Sequence, residues 1–442
     1  MKSSTATVLD AAPVPALRDY PSKLFVETTS RCNLNCVMCM KQNDGAGGDG
    51  DLEPATFAAL EGALPHLESL VLNGVGEPLL NHRLEKYIAR ARKLMPAEGW
   101  IGFQSNGLLL TNLRAMTLVD VGVDRVCLSM DGVTPETFSA IRSGGEILDL
   151  EFALKALATA KGACRRPDVQ VGVEYVAMCD NLEELPTALR WAAERGASFA
   201  IVSHLHPFDV PHLSQRCFDT CSDEALSLFH VWQCKAEVAG LDIRRYFRLL
   251  FKFRRTPEEE RIVNFVDAMR RDAQYRGISL DLKQLFGMDY GRLERVAEAF
   301  DRAREVARET GLELRLPAVA PREKRSCAFV EEGGAFISWD GTMHPCYHLW
   351  HRCRSFANGW LSPVQPRVFG NVLARDILDI WSGSEFRGYR ENVLRHDYPS
   401  CASCNFAPCD YLQEERFSQD CYVNGEPCGS CLWSTGVFQC LS

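Results

Sequence analysis

No apolar run in the 442 residues approaches the roughly 18 that a membrane-crossing helix needs, which excludes a helical membrane protein. The first twenty residues hold Asp10, Arg18 and Asp19 and lack a continuous apolar core of signal-peptide length, so a mobile segment over 1–21 and a cytoplasmic location are expected. Positive charge is not in excess. The 49 Lys plus Arg face 58 Asp plus Glu, a net charge of -9, which argues against an extended nucleic-acid surface. Histidine is too sparse, at ten scattered residues, to be the main ligand of a metal. There is no internal repeat and no long low-complexity tract. With 46% hydrophobic and 24% charged residues, fibrous and disordered classes are excluded. At roughly 100 to 200 residues per domain the length suggests two or three domains.

What is abundant is cysteine. There are 19, an odd number, and without an export signal structural disulfides are not expected. Thiols at this density usually hold metal. Three fall within eight residues at Cys32, Cys36 and Cys39, and ten follow residue 326, so an all-sulfur site of zinc or iron-sulfur type is favoured.

From Lys23 onward β-rich runs alternate with helix-compatible segments, the rhythm of repeated βα units around a parallel sheet. Strands are expected at 24–28, 70–74, 101–107, 125–132, 171–178 and 199–205, with helices over 54–65, 82–95, 112–121, 147–162 and 182–195. The chemically suggestive residues lie at the C-terminal strand ends, the edge where parallel α/β folds place their sites. Residues 208 to 315 are charged and amphipathic with no clear strand and read as a helical insertion. The mixed-sign run Arg254, Arg255, Glu258, Glu259, Glu260 and Arg261 is a solvated helix face. Beyond Pro321 the chain turns to Gly, Cys and aromatic residues, too loop-rich to hold itself together without metal.

Directly after the first strand comes Ser30-Arg31-Cys32-Asn33-Leu34-Asn35-Cys36-Val37-Met38-Cys39, whose C-x3-C-x2-C spacing converges three thiolates within one loop. A structural zinc would want a fourth nearby ligand, and no Cys lies between Met40 and Asn81. A [4Fe-4S] cluster on three cysteines leaves one iron open to a further ligand. This segment resembles the signature of the radical S-adenosylmethionine (radical SAM) enzymes, and the likeness spans about 22–206. Asn73-Gly74-Val75-Gly76-Glu77-Pro78 is similar to the family's Gly-Gly-Glu element, in which small residues admit the methionyl amine. Gln104-Ser105-Asn106-Gly107 and Ser129-Met130-Asp131-Gly132 resemble strand ends that offer polar groups to ribose and methionyl carboxylate. Arg142 resembles the arginine that pairs with that carboxylate, its fork of donors suited to the task. The resemblance thus implies cofactor contacts at Gly74, Gly76, Glu77, Ser105, Asn106, Ser129, Asp131 and Arg142. Met38 stands where the family usually has an aromatic residue. Cys127, Cys164, Cys179, Cys217, Cys221 and Cys234 follow no cluster spacing and read as packed or free thiols.

The C-terminal cysteines resemble a SPASM auxiliary-cluster domain. Cys327, the step Gly341-Thr342-Met343-His344-Pro345-Cys346, then Cys401, Cys404, Cys409, Cys421, Cys428, Cys431 and Cys440 carry the likeness. The spacings after Cys404 and Cys409 depart from the usual pattern, and Cys428, Cys431 and Cys440 exceed the usual set. The implied division gives one cluster Cys401, Cys404, Cys409 and a tail cysteine, and the other Cys327, Cys346 and thiols from Cys421 to Cys431. The alternative is a zinc ribbon on Cys401-x2-Cys404 and Cys428-x2-Cys431. Sulfatase maturases in this group place an Asp base directly after the G-x4-C cysteine, where this chain has Tyr347. Tyr347 and His348 are the candidate acid and base; His204, His206, His344 and His351 read as structural.

The expected architecture is α/β: a partial (βα)6 TIM-like barrel over 22–206, a helical insertion over 207–320, and a cysteine-rich iron-sulfur domain over 321–442. The resemblance, finest to metalloenzyme maturases of anaerobic bacteria, implies cleavage of S-adenosylmethionine to a 5'-deoxyadenosyl radical and modification of a peptide or protein substrate. It also implies one or two auxiliary clusters and a reductant such as flavodoxin or ferredoxin, with no nucleic-acid or membrane partner. Rival readings are a radical enzyme acting on a sugar or aminoglycoside, and a non-catalytic iron-sulfur or zinc interaction module. The insertion and Tyr347 to His351 are expected to wall the mouth of the barrel.

Overall fold

The computed structural model describes residues 14–43 and 48–441. All six expected strands form: β1 (Lys23–Val26), β2 (Ser69–Val71), β3 (Trp100–Ser105), β4 (Arg125–Ser129), β5 (Gln170–Ala177) and β6 (Phe199–His204), parallel and side by side in chain order. The strict alternation of a strand sorts their side chains into two cores. Leu24, Val26, Leu70, Ile101, Phe103, Val126 and Leu128 meet the surrounding helices, whereas Phe25, Val71, Cys127, Phe199 and Ile201 fill the lumen. Burial on both faces is why these strands read as near-continuous apolar runs. The helices between them are α1 (Pro54–Ala58), α2 (Leu84–Leu94), α3 (Asn112–Asp120), α4 (Pro135–Ile141), α5 (Ile147–Ala163) and α6 (Leu185–Glu194). Thr111 and Thr134 start α3 and α4 by accepting from the backbone NH of Arg114 and Thr137. Among the described residues no helix is long and apolar enough to cross a membrane.

The sheet is wider than the sequence rhythm suggests. The stretch read as strandless ends in β7 (Glu313–Arg315), which extends the sheet in parallel beyond β6. On the other edge β8 (Gly334–Ile337) pairs in parallel with β1, followed by antiparallel β9 (Thr342–His344) and β10 (Gly370–Asn371). Strands this short show no measurable alternation, which is why they were not anticipated. The cysteine-rich region is therefore part of the barrel sheet, and its Trp381, Phe386 and Tyr389 join the main core. Arg390, fully buried, lies 3.6 Å over the Trp381 ring and donates to the carbonyl of Ala16. Residues 14–21, expected to be mobile, are thereby packed, with Tyr20 stacked on His66; residues 1–13 lie outside the described residues.

The insertion divides in two. Helices α7 (Asp223–Val238), α8 (Tyr246–Leu250), α9 (Pro257–Tyr275) and α10 (Leu282–Gly287) enclose their own core of Phe229, Tyr246, Ile262, Val266, Met269 and Leu285. By contrast α11 (Tyr290–Thr310) lays Val296, Phe300 and Ala303 into the main core beside α6, as one more layer of the barrel's outer helices. Amphipathic faces bury against whatever apolar surface is at hand, here the outside of the barrel. Residues 434–441 close the gap between the sheet edges: Ala318, Arg322 and Ser326 donate backbone NH groups to the carbonyls of Gly436, Thr435 and Ser434, and Leu441 packs among the lumen residues.

Candidate active site

The cysteine loop leaves β1 at the C-terminal edge of the sheet. A two-residue ladder pairs Asn35 and Cys36 with Ser143 and Arg142, and Val37 NH donates to the Ile141 carbonyl at 3.0 Å. Cys32, Cys36 and Cys39 line one cavity of about 250 Å³ together with Gly74, Gly76, Glu77, Ser105, Asn106, Ser129 and Arg142. Of the eight anticipated cofactor contacts only Asp131 is not on its wall. Burial pushes the Cys36 thiol up to about 11, opposed by the Arg142 guanidinium, and burial raises Cys32 and Cys39 as well.

Several of these residues are engaged with the protein itself. Glu77, 2% exposed, accepts from Leu79 NH at 3.0 Å, Ser105 Oγ at 2.8 Å and Asn106 NH at 2.7 Å, so its carboxylate ties the end of β2 to the end of β3. Asn106 Nδ2 donates to Asn33 Oδ1 at 2.8 Å, joining that edge to the cysteine loop. Gly76 is required by the same closeness: a β-carbon there would fall 2.4 Å from the carbonyl oxygens of Thr29 and Arg31. Gly76 thus admits the neighbouring backbone, and Gly74 likewise leaves room for the Glu27 side chain. Asp131, fully buried, accepts from Val176 NH at 2.7 Å and pairs with Arg142 Nη2 at 2.7 Å. It orients the guanidinium, whose Nη1 lies 3.8 Å from Cys36 Sγ. Burial disfavours charge on Arg142, but Asp131 and Cys36 outweigh it and hold its pKa above the ordinary value.

Glu174 was not anticipated. It is an inward residue of β5, lines the cavity, and is raised to about 7 by burial and by the nearby Asp131. The signal was available: a lone carboxylate inside the apolar run VGVEYVAM is costly to bury without a task. Asn73, Gln104 and Met38 line the same cavity.

The C-terminal thiols fall into two sets. Burial, with Cys346 and Cys431 alongside, pushes Cys327 up; burial, then Cys431, Cys327 and Cys346, does the same to Cys428. Cys401 is pushed up to about 12 by burial, with Cys421, Cys404 and Cys409 beside it. Cys401-x2-Cys404 and Cys428-x2-Cys431 thus belong to different sets, which a single zinc ribbon does not explain. Each set offers the four thiolates a [4Fe-4S] cluster takes. Among the described residues no three Cys, His, Asp or Glu side chains close on one metal ion, whereas a cluster sets its thiolates wider apart, one per iron. Cys440 stands apart from both sets. It sits in the lumen near Glu174 and Cys127, raised to about 12 by burial.

Tyr347 and His348 do not line the cysteine-loop cavity. The Tyr347 ring packs between Phe329, Trp433 and Phe25 at centroid distances of 4.9, 5.4 and 5.8 Å. His348 lies 5.2 Å from Trp433 and 6.2 Å from His206, and burial lowers it to about 4, so it is a neutral imidazole at pH 7. His351 Nε2 meets both oxygens of Glu27 at 3.2 Å, joining the segment after Cys346 to the end of β1. No residue of 208–315 lines the cysteine-loop cavity, so the insertion does not form its wall.

A parallel barrel with a three-thiol loop at its C-terminal edge, and eight further thiols in two sets, defines an iron-sulfur enzyme of the S-adenosylmethionine radical class. Residues 26–192 match the Radical SAM superfamily and residues 327–405 the SPASM iron-sulfur cluster-binding domain; the chain belongs to the radical SAM/SPASM enzymes. Its cofactors are S-adenosylmethionine and [4Fe-4S] clusters. Over 422 residues it is 27% identical to the tungsten-containing aldehyde ferredoxin oxidoreductase cofactor-modifying protein of Pyrococcus furiosus, covering 94% of this chain and 96% of that protein. A shorter likeness, 32% over 212 residues, is to GTP 3',8-cyclase 2 of Mycobacterium bovis, covering 46% of this chain and 56% of that one. Among solved structures, SuiB of Streptococcus suis superposes with a TM-score of 0.50 at 12% identity, over 88% of this chain and 71% of that chain, a likeness of fold.

Proposed function

We propose that this enzyme modifies a peptide or protein side chain during maturation of a metalloenzyme. The near full-length likeness to a cofactor-modifying protein of a tungsten-containing oxidoreductase supports the setting of metalloenzyme maturation. The observation that carries the chemistry is the single cavity in which Cys32, Cys36 and Cys39 meet Arg142 and Glu174. A cluster held by Cys32, Cys36 and Cys39, with S-adenosylmethionine beside Arg142, would supply one-electron radical chemistry at this cavity.

In this reading the three loop thiolates hold the SAM-binding cluster and Arg142, oriented by Asp131, receives the methionyl carboxylate. Glu77, Ser105 and Asn106 keep the strand ends rigid, and Ser129 faces the cofactor. Glu174, poised near neutrality, holds or accepts a proton on the substrate side. Cys327, Cys346, Cys428 and Cys431 bind one auxiliary cluster, and Cys401, Cys404, Cys409 and Cys421 the other. Residues 22–206 carry the radical chemistry and 321–442 the auxiliary clusters, with a reductant of flavodoxin or ferredoxin type feeding electrons. The test is anaerobic reconstitution with dithionite and S-adenosylmethionine, then chromatography for 5'-deoxyadenosine. Product from the wild type and none from Arg142→Ala is expected. Undiminished cleavage in Arg142→Ala would remove the assigned role of the cavity.

A further inference from the structure

Beside the cofactor cavity, Gln215 clasps the segment after β6 to the end of β5. Its carbonyl accepts from Cys179 NH at 3.0 Å, its Oε1 accepts from Asp180 NH at 3.1 Å, and its Nε2 donates to Asp180 Oδ2 at 2.9 Å. Two thiols flank this clasp. Cys179 Sγ lies 3.4 Å from the Arg216 carbonyl, on the peptide that carries Cys217, and Cys217 Sγ lies 3.8 Å from the Gln215 carbonyl that accepts from Cys179 NH, so the two side chains are neighbours. Cys217 is fully buried, while Cys179 is half-buried. Arg292 of α11 faces both sulfurs and Arg295 also faces Cys179, with Asp180 the opposing charge. The neighbouring Cys217 outweighs burial and, with Arg292 and Arg295, lowers the Cys179 thiol below its ordinary value. A partly accessible thiolate in an electropositive setting, with a second thiol in contact, is the arrangement of a reactive dithiol. Neither sulfur belongs to the loop or to the auxiliary sets.

We propose that Cys179 and Cys217 form a reversible disulfide, a covalent modification site whose oxidant is a low-molecular-weight disulfide such as glutathione disulfide. The Cys179 thiolate attacks one glutathione sulfur, the glutathione S–S bond breaks, and one glutathione thiolate leaves to take up a proton. Cys217 then loses its proton and attacks the Cys179 sulfur of the mixed disulfide, expelling the second glutathione. Two protein thiols are oxidised and one disulfide is reduced to two thiols.

The location gives the bond a consequence. Met178, the neighbour of Cys179, packs with Ile141, Leu205 and Met38, and Met38 lines the cofactor cavity between Cys36 and Cys39. The crosslink pins the segment from Leu205 to Cys217 against that wall and slows passage into the cavity. The bond itself stands without the radical reading, whereas its effect on S-adenosylmethionine rests on that reading.

Reconstituted full-length holoenzyme is treated anaerobically with glutathione disulfide, alkylated, and mapped by mass spectrometry. A Cys179–Cys217 crosslink reversed by dithiothreitol is expected, together with a glutathione adduct on Cys179 in Cys217→Ser and none on Cys217 in Cys179→Ser. Absence of the crosslink at a concentration that modifies the exposed Cys234 overturns the site. Exchange of labelled S-adenosylmethionine slows several-fold in oxidised wild type and stays unchanged in identically treated Cys179→Ser. Unchanged exchange in crosslinked wild type overturns the coupling to the cavity while the modification site stands.

Discussion

The cysteine loop of the barrel and the thiol-rich C-terminal region present sulfur in different ways. Cys32, Cys36 and Cys39 sit on a loop shaped by other residues: Ser30 exchanges hydrogen bonds with Gly50, Cys36 pairs with Arg142, and Glu77 NH donates to the Arg31 carbonyl at 2.7 Å. Beneath them lies a continuous apolar core. In the C-terminal region Cys327 and Cys428 border the same core, but Cys401, Cys404, Cys409, Cys421 and Cys431 lie on short turns and on stretches without regular structure that have little apolar packing besides the small cluster of Ala402, Leu432, Val437 and Phe438. We expect metal on the first set to serve chemistry and metal on the second to serve folding as well.

The largest effect is expected where that difference is sharpest. Cys327→Ala with Cys431→Ala should remove about four irons, expose the C-terminal region to protease and lower the melting temperature of the barrel, because β8 is hydrogen-bonded to β1. Iron assay, limited proteolysis and calorimetry check this. Replacing Cys32, Cys36 and Cys39 by Ala should also remove about four irons and abolish 5'-deoxyadenosine formation, yet leave the protein brown, absorbing near ~400 nm, with its melting temperature unchanged. If the two variants unfold alike, the comparison fails.

A middle-sized effect concerns the buried pair at the cavity. Asp131→Ala leaves the Arg142 guanidinium buried without its partner and should cost about 3–5 kcal/mol in urea unfolding, a loss that Arg142→Met in the same background should partly restore. A smaller effect depends on pH. Burial and Asp131 raise Glu174 from 4.5 to about 7, so its folded state binds the proton more tightly than the unfolded chain does. Its contribution to stability is full below pH 4.5 and is lost as pH rises through 7. Glu174→Gln removes this dependence and should be more stable than wild type at pH 8 by roughly 3 kcal/mol at most, read from urea midpoints across pH. Least of all, Cys440→Ser should leave iron content unchanged, since Cys440 lies with Cys127 and Glu174 rather than with either thiol set. Loss of iron in that variant would return Cys440 to the ligands.

Much of the barrel was legible because its signals are local. LFVET, RVCLSMDG and VGVEYVAM carry enough consecutive apolar residues to announce buried strands, and the three loop cysteines share eight residues of chain. The edge strands were not legible, since Glu313–Arg315 and Gly334–Ile337 are three and four residues long and owe their extension to the neighbour they pair with. Nor were the partners of Asp131 and Glu77 legible, since they come from strand ends distant in sequence.

By itself the chain determined the periodicity of the strands, the three-thiol loop and the abundance of C-terminal thiols, because spacing along a backbone is a property of neighbours in sequence. Only the tertiary structure decided which thiol joins which set, that Arg142 is held by Asp131, and that Cys179 meets Cys217. These depend on sheet order and on packing across distant segments, where burial strengthens every charge and hydrogen bond it encloses.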